Sequence, residues 1–363
     1  MTAAALDFAL PPGAEATQPP EWRGVGRDEV RLLVGDPGRI RHATFRDLGD
    51  YVEPGDLLVV NTSATLPAMV EAVRSDGTPV AVHFAPRPAE DGGAGWAVEV
   101  RPAGAAAGPV ADATPGELLD LPGGGRLQLV GPYPDVHSRR PRLWAADVSV
   151  AGGVDAMLRR HGRPISYSYV RGHWPLSAYQ TVFARDPGSS EMPSAGRPFS
   201  TELVVSLLTR GVVVAPITLH TAVSSQETGE PPLPEGYHVP ATTAELVTMT
   251  RAAGRQVIAV GTTVTRALES VAEPDGSVRP GAGWTNLVLR ADRPARVVDG
   301  LITGWHAPGA SHLSLLEAVV GTELVGEAYA AALAGGYLWH EFGDSCLLRR
   351  TRRRSRLRQI HGV

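Results

Sequence analysis

The stretch QVIAVGTTVTRALES, residues 256–270, decides the fold. Val257, Ile258, Ala259 and Val260 form an unbroken apolar run, as in a strand buried on both faces. Gly261 ends the run, and Thr262 and Thr263 offer hydroxyls at a helix start. Ala267, Leu268 and Val271 then recur at helical spacing and can face a core. Arg266 and Glu269, three apart, lie near each other on one side of the same helix. A strand that opens through Gly-Thr-Thr into a helix leaves backbone N–H groups and hydroxyls at its carboxyl end, where open α/β sheets bind ligands. Helix caps of this kind also occur with no ligand, so this stretch alone marks a fold rather than a function.

Outward from this element the α/β pattern continues. Residues 202–210 read as a helix and 212–219 as a strand. A second helix spans 242–253, with Thr242 or Thr243 as its cap. Residues 287–289 and 301–302 are strand candidates, and 314–320 and 323–333 are helices. Towards the N-terminus, 30–34 and 57–60 are short apolar strands, with a helical turn carrying Phe45, Leu48 and Tyr51 between them. Residues 1–26 are Pro/Ala-rich and extended, with Phe8 and Leu10 as anchors.

From residue 69 to about 150 the texture changes. Short alternating runs at 69–74, 80–84, 96–100, 126–130 and 143–148 are separated by turn clusters, among them Asp76-Gly77, Asp91-Gly92-Gly93 and Gly123-Gly124-Gly125. Helical periodicity is missing, so this segment reads as a small antiparallel barrel or sandwich. A helix at 154–160 and a Pro/Gly/aromatic connector at 162–175 return the chain to the first pattern. The expected fold class is therefore α/β, with a largely parallel, helix-covered sheet interrupted by an inserted small antiparallel β-barrel domain. The expected boundaries are 1–68 with 152–348 for the discontinuous α/β domain, 69–151 for the barrel, in which catalysis is not expected, and 349–363 for an Arg-rich tail.

The 363 residues suffice for two or three cores, and 43% hydrophobic with 20% charged residues is a globular balance. All 34 basic residues are arginines, which excludes Schiff-base or lysine general-base chemistry. The net charge of −4 gives no global drive towards nucleic acid, but Arg349, Arg350, Arg352, Arg353, Arg354, Arg356 and Arg358 crowd the C-terminus. They read as a solvated tail or as a phosphate-backbone contact. A single cysteine, Cys346, allows no internal disulfide and fits a reducing cytoplasm. No signal peptide or membrane-spanning run is evident, so a cytoplasmic location with no membrane partner is expected.

Generic motifs are missing: no phosphate-binding loop, dinucleotide fingerprint, paired cysteines or nucleophile elbow. His83, His137 and His161 are isolated and read as surface or structural histidines, and no metal site is expected. Candidate polar and aromatic residues instead gather at predicted strand ends: Asn61, His220, Thr262-Thr263, Trp284-Thr285 and Trp305-His306. Trp284 or Trp305 could stack on a heterocycle or a cation, and His306 could act as a base near neutral pH.

Taken in order, the motifs resemble those of the S-adenosylmethionine:tRNA ribosyltransferase-isomerase (QueA) family. They are FALPP (8–12), RDEVRLLV (27–34), PGDLLVVN (54–61), YQTVFARDPGS (179–189), SAG (194–196), TLH (218–220), VIAVGTTVTRALES (257–270), GWTNL (283–287), His306-Ala307-Pro308 and FGDSCLL (342–348). The resemblance implies an α/β domain interrupted by a β-barrel. It also implies transfer and isomerisation of the ribosyl part of S-adenosylmethionine onto 7-aminomethyl-7-deazaguanine in tRNA. The products are epoxyqueuosine, adenine and methionine, as a late step of queuosine biosynthesis. S-adenosylmethionine is then a substrate, and no cofactor is expected. Gly261, Thr262, Thr263, Arg266 and Glu269 would floor the donor site, with Trp284, Thr285 and His306 beside it. Tyr179, Gln180, Ser194 and Gly196 would help line the pocket, and Asn61 and His220 would bind substrate from neighbouring strand ends. Arg266, Glu269 and His306 would carry the chemistry, with His306 as base.

The chain also departs from the family pattern. Asn61-Thr62-Ser63-Ala64 replaces N-D-T-R, and Pro198 stands where PTAGLHFT has its histidine. The segment after His220 is short, with His238 as a weak substitute for a further histidine. Gly309 or Ala310 stands where a lysine follows the His-x-Pro motif. Three readings stay open at this point: the tRNA enzyme, an S-adenosylmethionine-using paralogue with another, small-molecule acceptor, and a catalytically silent binding protein. A monomer with S-adenosylmethionine and tRNA as partners is the default.

Overall fold

The structure, a computed structural model, describes residues 8–89, 94–104, 108–223 and 231–351. Among the described residues, two short 3-10 helices (Pro20–Arg23 and Arg27–Glu29) precede the hairpin of β1 (Arg31–Asp36) and β2 (Arg39–Thr44), followed by a 3-10 turn at Phe45–Asp50, β3 (Leu57–Asn61) and β4 (Ser63–Thr65). Next come β5 (Met69–Arg74), β6 (Pro79–Pro88), β7 (Ala94–Pro102), β8 (Leu118–Leu121), β9 (Gly125–Tyr133) and β10 (Leu143–Ser149). These six close a barrel in the order β10-β7-β6-β5-β8-β9, each pair antiparallel.

After α1 (Val154–His161) and β11 (Asp186–Ser189) the α/β part resumes with α2 (Thr201–Thr209), β12 (Val213–Leu219), β13 (Glu235–Val239) and α3 (Ala241–Ala252). It continues with β14 (Val257–Val260), α4 (Thr262–Ser270), β15 (Gly281–Thr285), β16 (Gly300–Gly304), α5 (Ser311–Val320), α6 (Thr322–Ala334) and β17 (Ser345–Arg349). The large sheet has nine strands in the order β15-β13-β12-β3-β14-β16-β17-β1-β2. Its centre, β12-β3-β14-β16, is parallel, and so is β17 with β1. The other four neighbour pairs are antiparallel, so the sheet is mixed overall, with parallel pairing concentrated where the expected buried strands lie.

The period-2 alternation of strand side chains explains how both faces are covered. Leu57, Val59, Val257 and Ala259 pack into one core with side chains of α3 to α6. Their neighbours Leu58, Val60, Ile258 and Val260 point the other way, onto Leu203 and Leu207 of α2, Phe45 and Phe199. All four residues of β14 are therefore buried, and each fully buried Val or Ile is worth about 1.5–3 kcal/mol. Phe8 and Leu10 anchor the N-terminal segment against the first core; the Phe8 ring lies 5.3 Å from Trp339 and 5.5 Å from Tyr329.

Several local expectations are corrected. β2, a polar edge strand, and β8, only four residues long, were not foreseen in the sequence. Leu287–289 is irregular, although Leu287 and Leu289 are buried. Neither Thr242 nor Thr243 caps α3: Pro240 occupies that position, and the Thr243 hydroxyl donates to the Pro216 carbonyl from inside the helix. The Asp91–Gly93 turn lies outside the described residues, as do Arg352, Arg353, Arg354, Arg356 and Arg358. Arg349 does not belong to a solvated tail. It ends β17, buried, and pairs with Asp36 at 2.8 Å; Arg350 donates to the Ala295 carbonyl at 3.3 Å. Among the described residues, no helix is long and apolar enough to cross a membrane.

Candidate active site

The carboxyl ends of β12, β3, β14 and β16 lie on one side of the sheet, because these strands are parallel. There a cleft of about 460 Å³ opens between the sheet, the 162–175 connector and one end of the barrel. The volume suits a nucleoside-sized ligand. β14 enters it through Gly261, whose φ of 103° sits in the region that favours glycine. A Cβ there would also stand 3.2 Å from that of Ala195. Gly261, with no side-chain cap, turns the N-terminus of α4 towards the cleft, and Thr262 and Thr263 line it. Their hydroxyls are not the helix cap expected from the sequence.

β16, the parallel neighbour of β14, supplies the adjoining part of the cleft. Thr303 and Gly304 lead into Trp305 and His306 ahead of α5. His306 Nε2 lies 3.1 Å from Thr303 Oγ1, and its ring stacks on His312 with centroids 4.4 Å apart and planes within 3°. Burial, with His312 and His340 nearby, holds the His306 imidazole well below its usual range, and burial brings His312 down to about 4. Both rings are therefore neutral at pH 7, which leaves His306 able to accept a proton.

Of the fifteen residues singled out in the sequence, His306, Arg266, Tyr179, Ser194, Gly261, Thr262, Thr263 and Trp305 line the cleft. Arg266 does so as a buried clamp: its guanidinium donates to the carbonyls of Leu287 (3.1 Å), Leu233 (3.1 Å) and Thr285 (3.0 Å) and pairs with Glu235. Burial pushes the Glu235 carboxyl up against the pull of Arg266. With its donors committed to protein acceptors, Arg266 shapes the wall by holding the 233–235 and 285–287 segments together.

The other seven act beneath or beside the cleft. Glu269, expected to pair with the chemistry of Arg266, accepts instead from the backbone N–H groups of Arg296 (2.8 Å), Val297 (2.8 Å) and Val298 (3.0 Å). Asn61 ties the ends of β3 and β12, donating to the Leu219 carbonyl at 2.8 Å and accepting from the Leu219 and Ser63 N–H groups at 3.0 Å. Gln180 pairs in both directions with the Thr65 backbone, at 2.9 and 3.0 Å. Gly196 packs against Thr181. Thr285 bonds Ser270 at 2.5 Å.

His220 bonds Ser63 Oγ at 2.7 Å, at the end of a chain that runs on to Ser189. Gly188 makes room for that ring, since a Cβ there would stand 2.3 Å from His220 Nδ1. Trp284 lies on β15 against Gly236, away from the cleft. Trp305 reaches the cleft wall, but its ring is 1% exposed and packed against Tyr329, Tyr337 and Trp339. Neither tryptophan offers a free face to a ligand in the cleft.

The cleft also contains side chains that the sequence did not single out. Tyr167 and Tyr169 come from the aromatic connector, Glu191 from the loop after β11, and His340 and Glu341 from the segment before β17. Arg142 comes from the barrel segment and pairs with Glu99 at 3.1 Å, so the barrel helps to line the cleft. His340 lines a small crevice that also contains Pro198, placing an imidazole beside the position where the family pattern has histidine. His238 is exposed on β13 and takes no part. The aromatic connector was noted in the sequence and the His340-Glu341 pair was not; nothing in the spacing of either brings them to the end of β14.

Fold and cleft together define the class: an α/β protein with a cleft of nucleoside size at the carboxyl ends of its central strands, partly walled by an inserted barrel. The model of the family described as queuosine biosynthesis protein matches residues 3–348, and the chain belongs to that family. It is 35% identical over 358 residues to an S-adenosylmethionine:tRNA ribosyltransferase-isomerase of Symbiobacterium thermophilum, covering 94% of this chain and 98% of the relative. A Thermus thermophilus protein of the same name is 34% identical over 360 residues, covering 95% and 98%. The crystal structure of an S-adenosylmethionine tRNA ribosyltransferase from Thermotoga maritima is similar with a TM-score of 0.51 and 28% identity, covering 94% of this chain and 99% of the other.

Proposed function

We propose that this chain transfers and isomerises the ribosyl part of S-adenosylmethionine onto 7-aminomethyl-7-deazaguanine in tRNA, giving epoxyqueuosine and releasing adenine and methionine. The observation that carries this reading is the convergence of Gly261, Thr262, Thr263 and His306 on one cleft, in a chain that spans its relatives almost end to end. The reaction needs a base to remove a proton next to the sulfonium and start the rearrangement. The neutral, half-buried His306 imidazole supplies one, with Thr303 fixing its orientation. Arg266, Glu269 and Asn61 keep the walls in register, which is how positioning lowers a barrier without contact to the reacting atoms.

The test is adenine release from S-adenosylmethionine by the purified protein, with and without tRNA bearing 7-aminomethyl-7-deazaguanine. Release that depends on this tRNA is expected, and tRNA binding should weaken steeply with salt as phosphate contacts release counterions. S-adenosylmethionine binding with no release in the presence of that tRNA would overturn the reading and favour another acceptor.

A further inference from the structure

One wall of the cleft is a column of three rings. His340 stacks on Tyr169 with centroids 4.3 Å apart and planes at 18°, and Tyr169 stacks on Tyr167 at 6.0 Å and 25°. Each tyrosine hydroxyl donates to a carboxylate: Tyr169 to Glu341 at 2.6 Å, and Tyr167 to Glu191. His340 has φ 70°, the one positive value on a non-glycine residue among those described. It is held there by its N–H to the Trp305 carbonyl (3.3 Å) and by the Gly343 N–H to its own carbonyl (3.0 Å). A backbone conformation this unfavourable for an L-residue persists only where the surroundings impose it, and such positions concentrate at working sites.

Glu341 is half-buried and, among the described residues, forms no ion pair. The charged and titratable groups around it are the Tyr169, Tyr167 and Tyr179 hydroxyls, the carboxylates of Glu191 and Glu15, and the neighbouring His340, which pairs with Glu15 at 3.4 Å; Arg197 and Asp344 share its crevice. Burial pushes its carboxyl up to about 7, while the Tyr169 hydrogen bond pulls it back. A partly dehydrated carboxylate beside aromatic faces, with further carboxylates close by, complements a compact cation.

We propose that the Tyr169–Glu341 pair is a subsite for a primary alkylammonium group. This deepens the reading above and rests on it for the choice of ligands, because both substrates of that reaction carry such a group. One is the methionine end of S-adenosylmethionine, the other the aminomethyl arm of the acceptor base. The subsite binds when Glu341 is ionised, so affinity rises as pH increases through about 7.

The experiment is calorimetric titration of wild type, Glu341→Gln and Tyr169→Phe with free 7-aminomethyl-7-deazaguanine and, separately, with S-adenosylmethionine, at pH 6 and pH 8. For one of the two ligands, Glu341→Gln should weaken binding at least tenfold at pH 8 and remove the gain between pH 6 and pH 8. The ligand affected identifies which ammonium the subsite holds. Tyr169→Phe should keep binding but require higher pH, since its hydrogen bond favours the ionised carboxylate. Unchanged affinity of Glu341→Gln for both ligands overturns the subsite, as does failure of the wild type to bind either. These titrations need no turnover, so a wild type that binds both ligands but releases no adenine would sink the proposed reaction alone.

Discussion

His306 and His312 lie ring on ring, 4.4 Å apart and 3° from parallel, with the Thr303 hydroxyl on the Nε2 of His306. A protonated His306 would face a second imidazole across that stack, so the pair favours the neutral base. His306→Ala is expected to lower kcat for adenine release by about 10²- to 10⁴-fold with the fold intact by circular dichroism. Because its pKa lies well below 6.5, activity should not fall through His306 protonation between pH 8 and pH 6.5. Near-normal turnover of the alanine variant would remove His306 from the chemistry.

Arg266 is predicted to be structural first. Arg266→Ala leaves the Glu235 carboxylate without its guanidinium and three carbonyls without a donor. Loss of one partner of a buried pair costs about 3–5 kcal/mol, and a lysine cannot restore the fork. Urea denaturation of Arg266→Lys and Arg266→Ala should show both markedly destabilised. A variant as stable as wild type but inactive would instead return Arg266 to the reaction.

Glu269→Gln keeps the shape of the side chain but loses the charge that anchors the backbone at residues 296–298. The expected cost is about 1.5–3 kcal/mol, that of a charge-assisted hydrogen bond, read as a lower urea midpoint with kcat at low denaturant close to wild type.

Trp284→Ala should leave kcat/KM for adenine release within twofold of wild type, because its ring packs over Gly236 on β15 rather than in the cleft. A large rise in KM for S-adenosylmethionine would show that the ring swings over the ligand.

Glu341 gives a pH-dependent stability with a definite sign. Its carboxyl is raised from 4.5 to about 7 in the folded chain, so between those values the native state holds a proton that the unfolded state has released. Stability therefore falls as pH rises through that window and stays lower above it, by at most about 3 kcal/mol. Glu341→Gln should flatten this dependence, gaining stability over wild type at pH 8 and little at pH 4.5 in urea titrations.

Much of this architecture was legible because burial leaves a periodic trace. β14 and β3 are apolar at every position through Val260 and Val60, and β5 alternates as a barrel strand should. The cleft was half legible. Gly261 to Thr263 and His306 sit at strand ends, where chain direction alone places a site. Asn61 and Thr285 looked like ligand contacts because they are polar and near those ends, and Gln180 and Glu269 because of the family resemblance, yet each hydrogen-bonds backbone or hydroxyl groups of the protein itself. A sequence shows that a polar side chain is present and does not show which buried donor needs it. Tyr169 and Glu341 were missed for the opposite reason. They lie 172 positions apart in segments with no periodicity, and only the closed fold joins them.

The position of β17 governs the order in which the molecule can be completed. It is the last strand among the described residues, yet it lies inside the sheet, between β16 and β1. The β1–β2 hairpin has no other partner in that sheet, so its long edge must wait until the residues of Ser345–Arg349 have been made. At 5–20 residues per second, that wait is roughly 15 to 60 s on the ribosome. The polar face of β2 and its arginines Arg39 and Arg41 protect one side of the waiting hairpin, while the apolar edge of β1 is exposed to any chaperone, or to any other nascent chain, until translation reaches its partner.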